Sequence, residues 1–425
     1  TMVAVSEEGW VHVAGHTNST DFPLGAGAYD STFNGGADIF VARLDVGLAA
    51  LHNSSYLGGN GGEELEGTRL DEEGNVWITG PTDSQDFPTT PGVYRETWGT
   101  AMVQVYVSKI SGDLSALLAS TYISGSEGDY PYDLDIGATG DVFITGHTGS
   151  SDYPTTPGAY DVTYNGAGGF NIGDDVFISR LSSDLTTMKA STFLGGSGWE
   201  LGSIVHCDGE GNVLVAGDCL STDLPTTPGA FSDSLTSAPD AFIARFDEDL
   251  TTMRAATYLG GGGTDMGGGL GADAEGNVYV AGATNSMDFP ITEVAYDTGY
   301  NGGTYAWGGD IFIAKLDSSL TGSSVTAIDP AALPGRAVRL TRAQPNPFYK
   351  STLVSFSVSH PRRVRISVYD MSGRLVRVLT DDRFREGAHS VEWNGRDGVG
   401  RRIPSGAYVI RLESGAHLES RKIIL

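Results

Sequence analysis

"TYLGGGGTDMGGGLGADAEGNVYVAG", residues 257–282, packs ten glycines into twenty-six positions. That density is the composition of a flexible linker. Its end is not linker-like. Gly276-Asn277 leads into Val278-Tyr279-Val280, an alternation that reads as a strand entered through a tight turn. The rest of the chain decides between the two readings. A Gly-Asn-Val marker or its equivalent recurs at Gly9, Gly74, Gly140, Gly211 and Gly276, at spacings of 65, 66, 71 and 65 residues. An Asp-aromatic-Pro marker keeps phase with it at Asp21, Asp86, Asp152, Asp223 and Asp288, with Leu224 for the aromatic in the fourth. A third runs "DIFVARL" from Asp38, "QVYVSKI" from Gln104, "DVFISRL" from Asp175, "DAFIARF" from Asp240 and "DIFIAKL" from Asp310. A fourth is "SYLGG" at 55–59, "TYISG" at 121–125, "TFLGG" at 192–196 and "TYLGG" at 257–261. Markers in one register over the whole stretch are a structural repeat, and the glycines are its punctuation.

Each period holds about four short strands, with turn sequences such as "DEEGN" and "AEGN" closing a hairpin between the first two. In "DIFIAKL", Phe312 and Ala314 share one face, and Ile311, Ile313 and Lys315 the other. A repeat of 65–71 residues with four strands predicts a β-propeller blade. The fold class is therefore all-β: a β-propeller with five four-stranded repeats visible over residues 1–328. The fifth repeat lacks the Tyr-Leu-Gly-Gly strand, and "GSSVTAI" at 322–328 is expected to replace it. The chain opens inside a predicted strand, "TMVAVSEEG", so the expectation of further blades upstream stays open.

The markers Gly-Asn-Val-Tyr-Val-x-Gly, Asp-Phe-Pro-Thr-Thr-Pro-Gly, Tyr-Asn-Gly-Gly, Asp-x-Phe-Val-Ala-Arg-Leu and Tyr-Leu-Gly-Gly resemble the SBBP β-propeller repeat, over residues 1 to about 322. The resemblance implies a bacterial surface or secreted protein with no common enzymatic activity. The family name implies seven blades, against five repeats here.

After Ile328 the composition changes. Residues 329–344 read as a linker, and six or seven strands over 345–425 predict a small immunoglobulin-like β-sandwich. "PNPF" at 345–348, "VYDMSGRLVRVL" at 368–379, "GAHSVEWNGRDGVGRRIPSGAYVIRL" at 387–412 and the closing "SRKIIL" resemble the FlgD-type immunoglobulin-like domain, which is related to the C-terminal sorting domains of type IX secretion. That resemblance implies export across an outer membrane, or a retained structural module.

Charge divides at the same place. Residues 1–328 carry 9 basic and 44 acidic side chains, net −35, and residues 329–425 carry 17 and 9, net +8. The acidic body argues against nucleic acid and anionic membrane as its partners. No apolar run is long enough to span a bilayer as a helix. Cys207 and Cys219 flank a predicted hairpin and form no disulfide framework.

No nucleophile elbow, zinc-helix motif or phosphate loop occurs, and the eight histidines share no ligand spacing. Enzymatic activity is therefore not expected. Three loops carry Asp-x-x-aromatic-Asn-Gly followed by a strand-leading Asp: Asp30, Asn34 and Asp38; Asp161, Asn165 and Asp175; Asp297, Asn301 and Asp310. Carboxylate and amide oxygens suit Ca²⁺, and the same residue types also cap their own turns. The loop aromatics Trp98, Trp199 and Trp307 depart from the repeat and are candidates for stacking on sugars or for a protein contact. The basic pairs Arg362-Arg363 and Arg401-Arg402 are candidates for contact with the acidic body. The function expected first is a secreted or cell-surface structural or adhesive protein, self-assembling head to tail through opposite charge. The alternative is a calcium-dependent binder of glycans or another surface ligand. A propeller enzyme would need a symmetry-breaking polar cluster in its channel, and the sequence shows none.

Overall fold

The computed structural model describes the chain apart from residues 26, 167–173, 238, 293–294, 301, 303–308, 322–337, 345, 347, 359, 371–372 and 415–416. It divides into Thr1–Ala327 and Ile328–Leu425, and every regular element described is a strand. The first unit is a series of antiparallel sheets, each a meander in chain order. Blade 1 comprises Met2–Val5, Val11–Thr17, Asp38–Leu44 and Leu51–Leu57. Blade 2 comprises Gly67–Leu70, Val76–Thr82, Gln104–Ile110 and Leu117–Ile123. Blade 3 comprises Asp129–Ile136, Val142–Thr148, Asp175–Leu181 and Met188–Leu194. Blade 4 comprises Glu200–Cys207, Asn212–Cys219, Asp240–Asp247 and Met253–Leu259. Blade 5 comprises Asp265–Ala272, Val278–Thr284 and Asp310–Leu316; its expected fourth strand at 322–328 lies outside the described residues. First strands of successive blades are neighbours, so they line the axis.

The strand period of two gives each blade two apolar faces. In blade 3, Phe177 packs with Val105 and Val107 of blade 2. Val176 and Ile178, on the opposite face, pack with Val213, Val215 and Phe242 of blade 4. The same joint recurs where Ile39 and Val41 meet Val76 and Ile78, and where Ala241 and Ile243 meet Val278 and Val280. At about 25 cal/mol per Å² of apolar area removed from water, these joints are the main stabilising term.

A second device ties each joint. The turn between third and fourth strands holds a leucine in the left-handed region: Leu48, Leu114, Leu185, Leu250 and Leu320, at φ between 52° and 62°. For a non-glycine residue this costs about 1–3 kcal/mol. Leu114, Leu185, Leu250 and Leu320 are fully buried. Their carbonyls accept the N–H of Tyr29, Tyr94, Tyr160 and Phe231 of the preceding blade at 2.7–2.9 Å. Burial and the hydrogen bond offset the strain.

Glycine is required at two places in each of blades 2 to 5. Gly276, at φ +77°, turns the first hairpin. Gly217 lies where a Cβ would sit on the Leu201 carbonyl oxygen of the axial strand, and Gly80, Gly146 and Gly282 repeat that approach. Cys207 pairs in register with Val213 and Cys219 with Glu200, at opposite ends of one strand pair, and both thiols are free.

The second unit is a two-sheet sandwich. One sheet holds Val338–Gln344, Thr352–Val358 and Gly387–Trp393; the other holds Leu375–Phe384, Arg362–Asp370, Ala407–Ser414 and His417–Ile424. Phe348, Phe356, Ile366, Trp393 and Ile410 are among the side chains that fill its core. The linker expected at 329–344 is corrected by the strand at its end: Val338 and Leu340 alternate into the core and pair with Val358 and Phe356.

Gly217→Ala is expected to destabilise the propeller by about 1–3 kcal/mol, because the carbonyl it meets is backbone and cannot rotate away. Leu185→Ala is expected to cost about 2–5 kcal/mol. Denaturant midpoints of the two variants check both, and a wild-type midpoint for either contradicts the joint described for it.

Candidate functional site

The acidic loops of the sequence are brought together as turns. Asp30 accepts the Thr32 N–H at 2.8 Å and the Asn34 side-chain amide at 3.1 Å. Asp38 accepts the N–H groups of Asn34 and Gly35 at 3.0 and 3.2 Å, while burial pushes its carboxyl up. Asp161 and Asn165 repeat this, with the Asn165 N–H on Asp175 at 2.9 Å. Asp297 accepts the Gly299 N–H at 3.0 Å, Asp310 opens the third strand of blade 5, and Asn301 lies outside the described residues. Among the described residues no three His, Cys, Asp or Glu side chains form a metal-holding group. A Ca²⁺ ion entering these loops would have to displace the N–H donors.

The Asp-aromatic-Pro loops are joints. Asp86, Asp152, Asp223 and Asp288 each accept a backbone N–H from the preceding blade, from Asn60, Ser126, Ser197 and Gly262, at 2.7–2.8 Å. The ring that follows lies on the third strand: Phe87 on Tyr106 at 4.6 Å, Tyr153 on Phe177 and Phe289 on Phe312 at 4.5 Å. Trp98 keeps the repeat: it stands edge-on to Tyr122 as Phe33 does to Tyr56 and Tyr164 to Phe193. Trp199 is half-buried and its carbonyl accepts the Leu220 N–H; Trp307 lies outside the described residues. In the second unit Arg363 pairs with Asp381 at 2.8 Å, and Arg402 donates to the Tyr349 carbonyl at 2.9 Å. Arg362 is half-buried and Arg401 exposed.

The axial strands hold a polar cluster that the sequence reading missed. Arg69 of blade 2 reaches Asp133 at 3.0 Å and Asp135 at 3.2 Å, both in blade 3. His206 of blade 4 closes on Asp135 at 3.2 Å, and the Cys207 N–H donates to the same carboxylate at 2.8 Å. Burial works to raise the Asp135 pKa, but the bonds from His206 and Cys207 and the Arg69 charge outweigh it and hold the carboxyl low. Burial dominates at Asp133, pushed up to about 6. Counted back from the Gly-Asn-Val strand, Ala4, Arg69, Asp135, His206 and Gly271 occupy one repeat position. The signal was there: one variable polar position beside markers that scarcely change.

A second cluster lies in blade 3, between Tyr130 and Tyr132 of its first strand, His147 of its second and Asp174 before its third. His147 and Asp174 approach to 3.5 Å, Tyr130 stacks on His147 with centroids 5.3 Å apart, and Tyr132 tilts against it at 5.5 Å. Burial holds His147 down at about 4, hence neutral, and pushes Asp174 up to about 6. His147 Nδ1 and Asp174 Oδ1 are buried with no hydrogen-bond partner. Glu66, driven up to about 7 by burial and then by Glu64, adds a further acid.

Carboxylates also meet across the joints. Glu63, Asp129, Glu200 and Asp265 accept the N–H of Gly59, Gly125, Gly196 and Gly261, which explains the Gly-Gly marker. Asp38 with Glu63, Asp175 with Glu200, and Asp240 with Asp265 repel one another. Burial is the larger cause, pushing Asp175 up to about 7 and Asp240 and Asp129 to about 6. Blade 2 has Gln104 at the strand-leading position, so that joint carries one acid fewer.

Residues 350–416 match the FlgD Ig-like domain, and residues 256–290 match the Beta-propeller repeat called SBBP. Comparison with curated proteins gives no match. Among solved structures the chain is similar to PorZ, an essential bacterial surface component of the type-IX secretion system of Porphyromonas gingivalis, at 12% identity and TM-score 0.32, covering 100% of this chain and 44% of that one. It is similar to an acylaminoacyl peptidase at 7% identity and TM-score 0.36, covering 99% and 52%. It is similar to the polysaccharide lyase Uly1 at 8% identity and TM-score 0.39, covering 99% and 89%. The chain spans about half the length of the first two. At these identities and TM-scores the likeness does not reach activity.

Raised carboxylates bind protons more tightly folded than unfolded. Their contribution to stability is complete below the unfolded value of about 4 and is lost as pH rises through the folded values. Asp129, Asp133, Asp174, Asp175, Asp218 and Asp240, at about 6 to 7, place that loss between pH 5 and 8. His147 opposes it, its stabilising effect growing as pH rises from about 4 to its ordinary value, and His12, also held down by burial, acts in the same direction. The thermal midpoint is expected to be several degrees higher at pH 5.5 than at pH 8, with a shallower slope in Asp175→Asn. Calorimetry over that range checks this; a midpoint that rises with pH contradicts it.

Proposed function

We propose that this protein is an exported β-propeller scaffold of the cell surface or extracellular space, serving in structure or adhesion and not as an enzyme. The observation that carries the reading is the match of residues 350–416 to an immunoglobulin-like domain of FlgD type, placed after an acidic propeller. The axial polar groups favour a scaffold as well. Arg69, Asp135 and His206 spend their hydrogen bonds on one another and join successive blades. In the native cell, deletion of residues 328–425 is expected to abolish appearance of the propeller at the surface or in the medium, read by protease accessibility on intact cells and by fractionation. Undiminished export of the truncated chain contradicts the reading.

One observation favours a binding role within that scaffold. His147 Nδ1 and Asp174 Oδ1 are buried without partners beside Tyr130 and Tyr132. Aromatic faces beside unspent polar atoms suit a hydroxylated ligand such as a glycan. Calorimetric titration with oligosaccharides is expected to show binding that falls at least about tenfold in His147→Ala, the loss of roughly 1.4 kcal/mol of binding energy. Equal affinity in the variant removes the site.

A further inference from the structure

In blades 2 to 5 the turn between the first two strands sets a carboxylate on a cation of the third strand. Lys109 stands on Asp71 at 2.9 Å in blade 2, and Lys315 on Asp273 at 3.1 Å in blade 5. Arg245 reaches Asp208 at 2.9 Å in blade 4. In blade 3 Arg180 reaches Asp141 at 2.7 Å, the carboxylate coming here from the position of Asn75. The cation position of blade 1 is Arg43, since His12 pairs with it as Trp77 pairs with Lys109. The two turn positions that supply the carboxylates are filled in blade 1 by Ser6 and Trp10. Ser6 keeps the turn: its hydroxyl accepts the Trp10 N–H at 3.1 Å, as Asp71 accepts that of Asn75 at 2.8 Å. It brings no charge.

Arg43 is left with a charge and no counter-charge. Among the described residues it has no ion pair or hydrogen bond, its Nε is buried without a partner, and its guanidinium carbon lies 4.0 Å over the Trp10 ring. Glu8 is exposed and does not reach it as the equivalent Glu210 reaches Arg245, at 3.8 Å. Asp113 of blade 2 holds the position of Asp249, which pairs with Arg180, but its carboxylate is taken by Ser111 and Ser115. His12 faces Arg43 across the strand pair and is buried. Its Nε2 lies 3.1 Å from the Gly112 carbonyl and donates to it, which leaves Nδ1 buried without a partner. Burial holds His12 down; the Gly112 bond opposes this, and the Arg43 charge adds to it. His52 stands edge-on to Trp10 with centroids 4.5 Å apart, at the position where Lys189 puts a second cation on Asp141. In the other blades the groups that neutralise this cation come from its own blade or the following one. The corresponding residues of blades 1 and 2 are all described, so the vacancy beside Arg43 owes nothing to a preceding blade.

We infer that Arg43, His12 and Trp10 form a binding site for the carboxylate group of a ligand, which takes the place that an aspartate of the chain fills in blades 2 to 5. The repeat itself shows the fit, because the same cation position meets a carboxylate at 2.7–3.1 Å in each of those blades. A half-buried guanidinium without an acceptor is costly, and a carboxylate supplies two acceptor oxygens in charge-assisted bonds. The ligand is a monoanion: the surrounding body of net −35 repels every further negative charge. Bound beside His12, the carboxylate favours its protonated form, whose Nδ1–H becomes a second donor. The complex therefore takes up a proton, and affinity rises as pH falls from 8 to 6. The inference rests neither on export nor on the glycan reading, whose residues Tyr130, Tyr132, His147 and Asp174 belong to blade 3.

The test titrates the full chain with acetate, glucuronate and sulfate by calorimetry at pH 6 and pH 8, and follows the histidine rings by NMR, the His12 signal being assigned from its loss in His12→Gln. Both carboxylates are expected to bind, more tightly at pH 6, with sulfate weaker and with the His12 titration moved upward by the ligand. Arg43→Gln is expected to weaken both carboxylates at least about tenfold. Ser6→Asp restores the aspartate of the other blades and is expected to close the site, with the same loss of binding. Its thermal midpoint is expected at or above that of wild type, which separates a filled site from a damaged fold. Glucuronate bound more tightly than acetate assigns a uronic acid whose ring reaches Trp10; equal affinities assign recognition to the carboxylate alone, and either supports the site. Absence of carboxylate binding to wild type overturns the inference, as does wild-type affinity in Ser6→Asp or in Arg43→Gln. Sulfate bound more tightly than both carboxylates overturns the assignment of the ligand.

Discussion

The structure rests on apolar contact between consecutive blades. A sheet with one wet face could stand on a single partner, but the inner blades have no wet face. Val176 and Ile178 leave blade 3 on one side while Phe177 leaves it on the other, and all three are fully buried. Each blade is stable only between neighbours, as in other repeat architectures where the interface term dominates. The tight register of the sequence markers follows from that dependence, since a shift of one residue would turn each apolar face to the wrong side.

The polar residues of the repeat serve the same joints. Asp86 and its equivalents take up an N–H of the preceding blade, Glu63 and its equivalents cap the Gly-Gly turns, and the left-handed leucines receive the long loops. A chain with net charge −35 over its propeller thus spends many carboxylates as hydrogen-bond acceptors rather than as surface charge. Burying Asp175 beside Glu200 is the cost of placing acceptors on both sides of one seam.

The features that break the repeat lie at the axis. Where blades 2, 3 and 4 meet there, one repeat position is Arg69, Asp135 and His206, and the three link into a chain. Each was visible as a residue, but their meeting was not. Residues 66 and 71 positions apart become hydrogen-bonding partners only because successive first strands lie side by side. Trp98 shows the reverse. Read along the chain it looks exceptional; beside Phe33 and Tyr164 it is the same ring on the same fourth-strand partner.

The sequence by itself determined the all-β class, the five-fold repeat, the strand faces such as Phe312 against Ile311 and Ile313, and the change to a second module after residue 328. These are local properties: strand period, turn chemistry and composition act between residues close in the chain. Only the tertiary structure decided that the strand Val338–Gln344 belongs to the sandwich, that His147 and Asp174 face each other among tyrosines, and that Arg69, Asp135 and His206 meet across three blades. Arg69, Asp135 and His206 occupy one repeat position, yet they become partners only where successive first strands lie side by side. Pairing depends on what lies opposite, and no residue carries that information in its own neighbourhood.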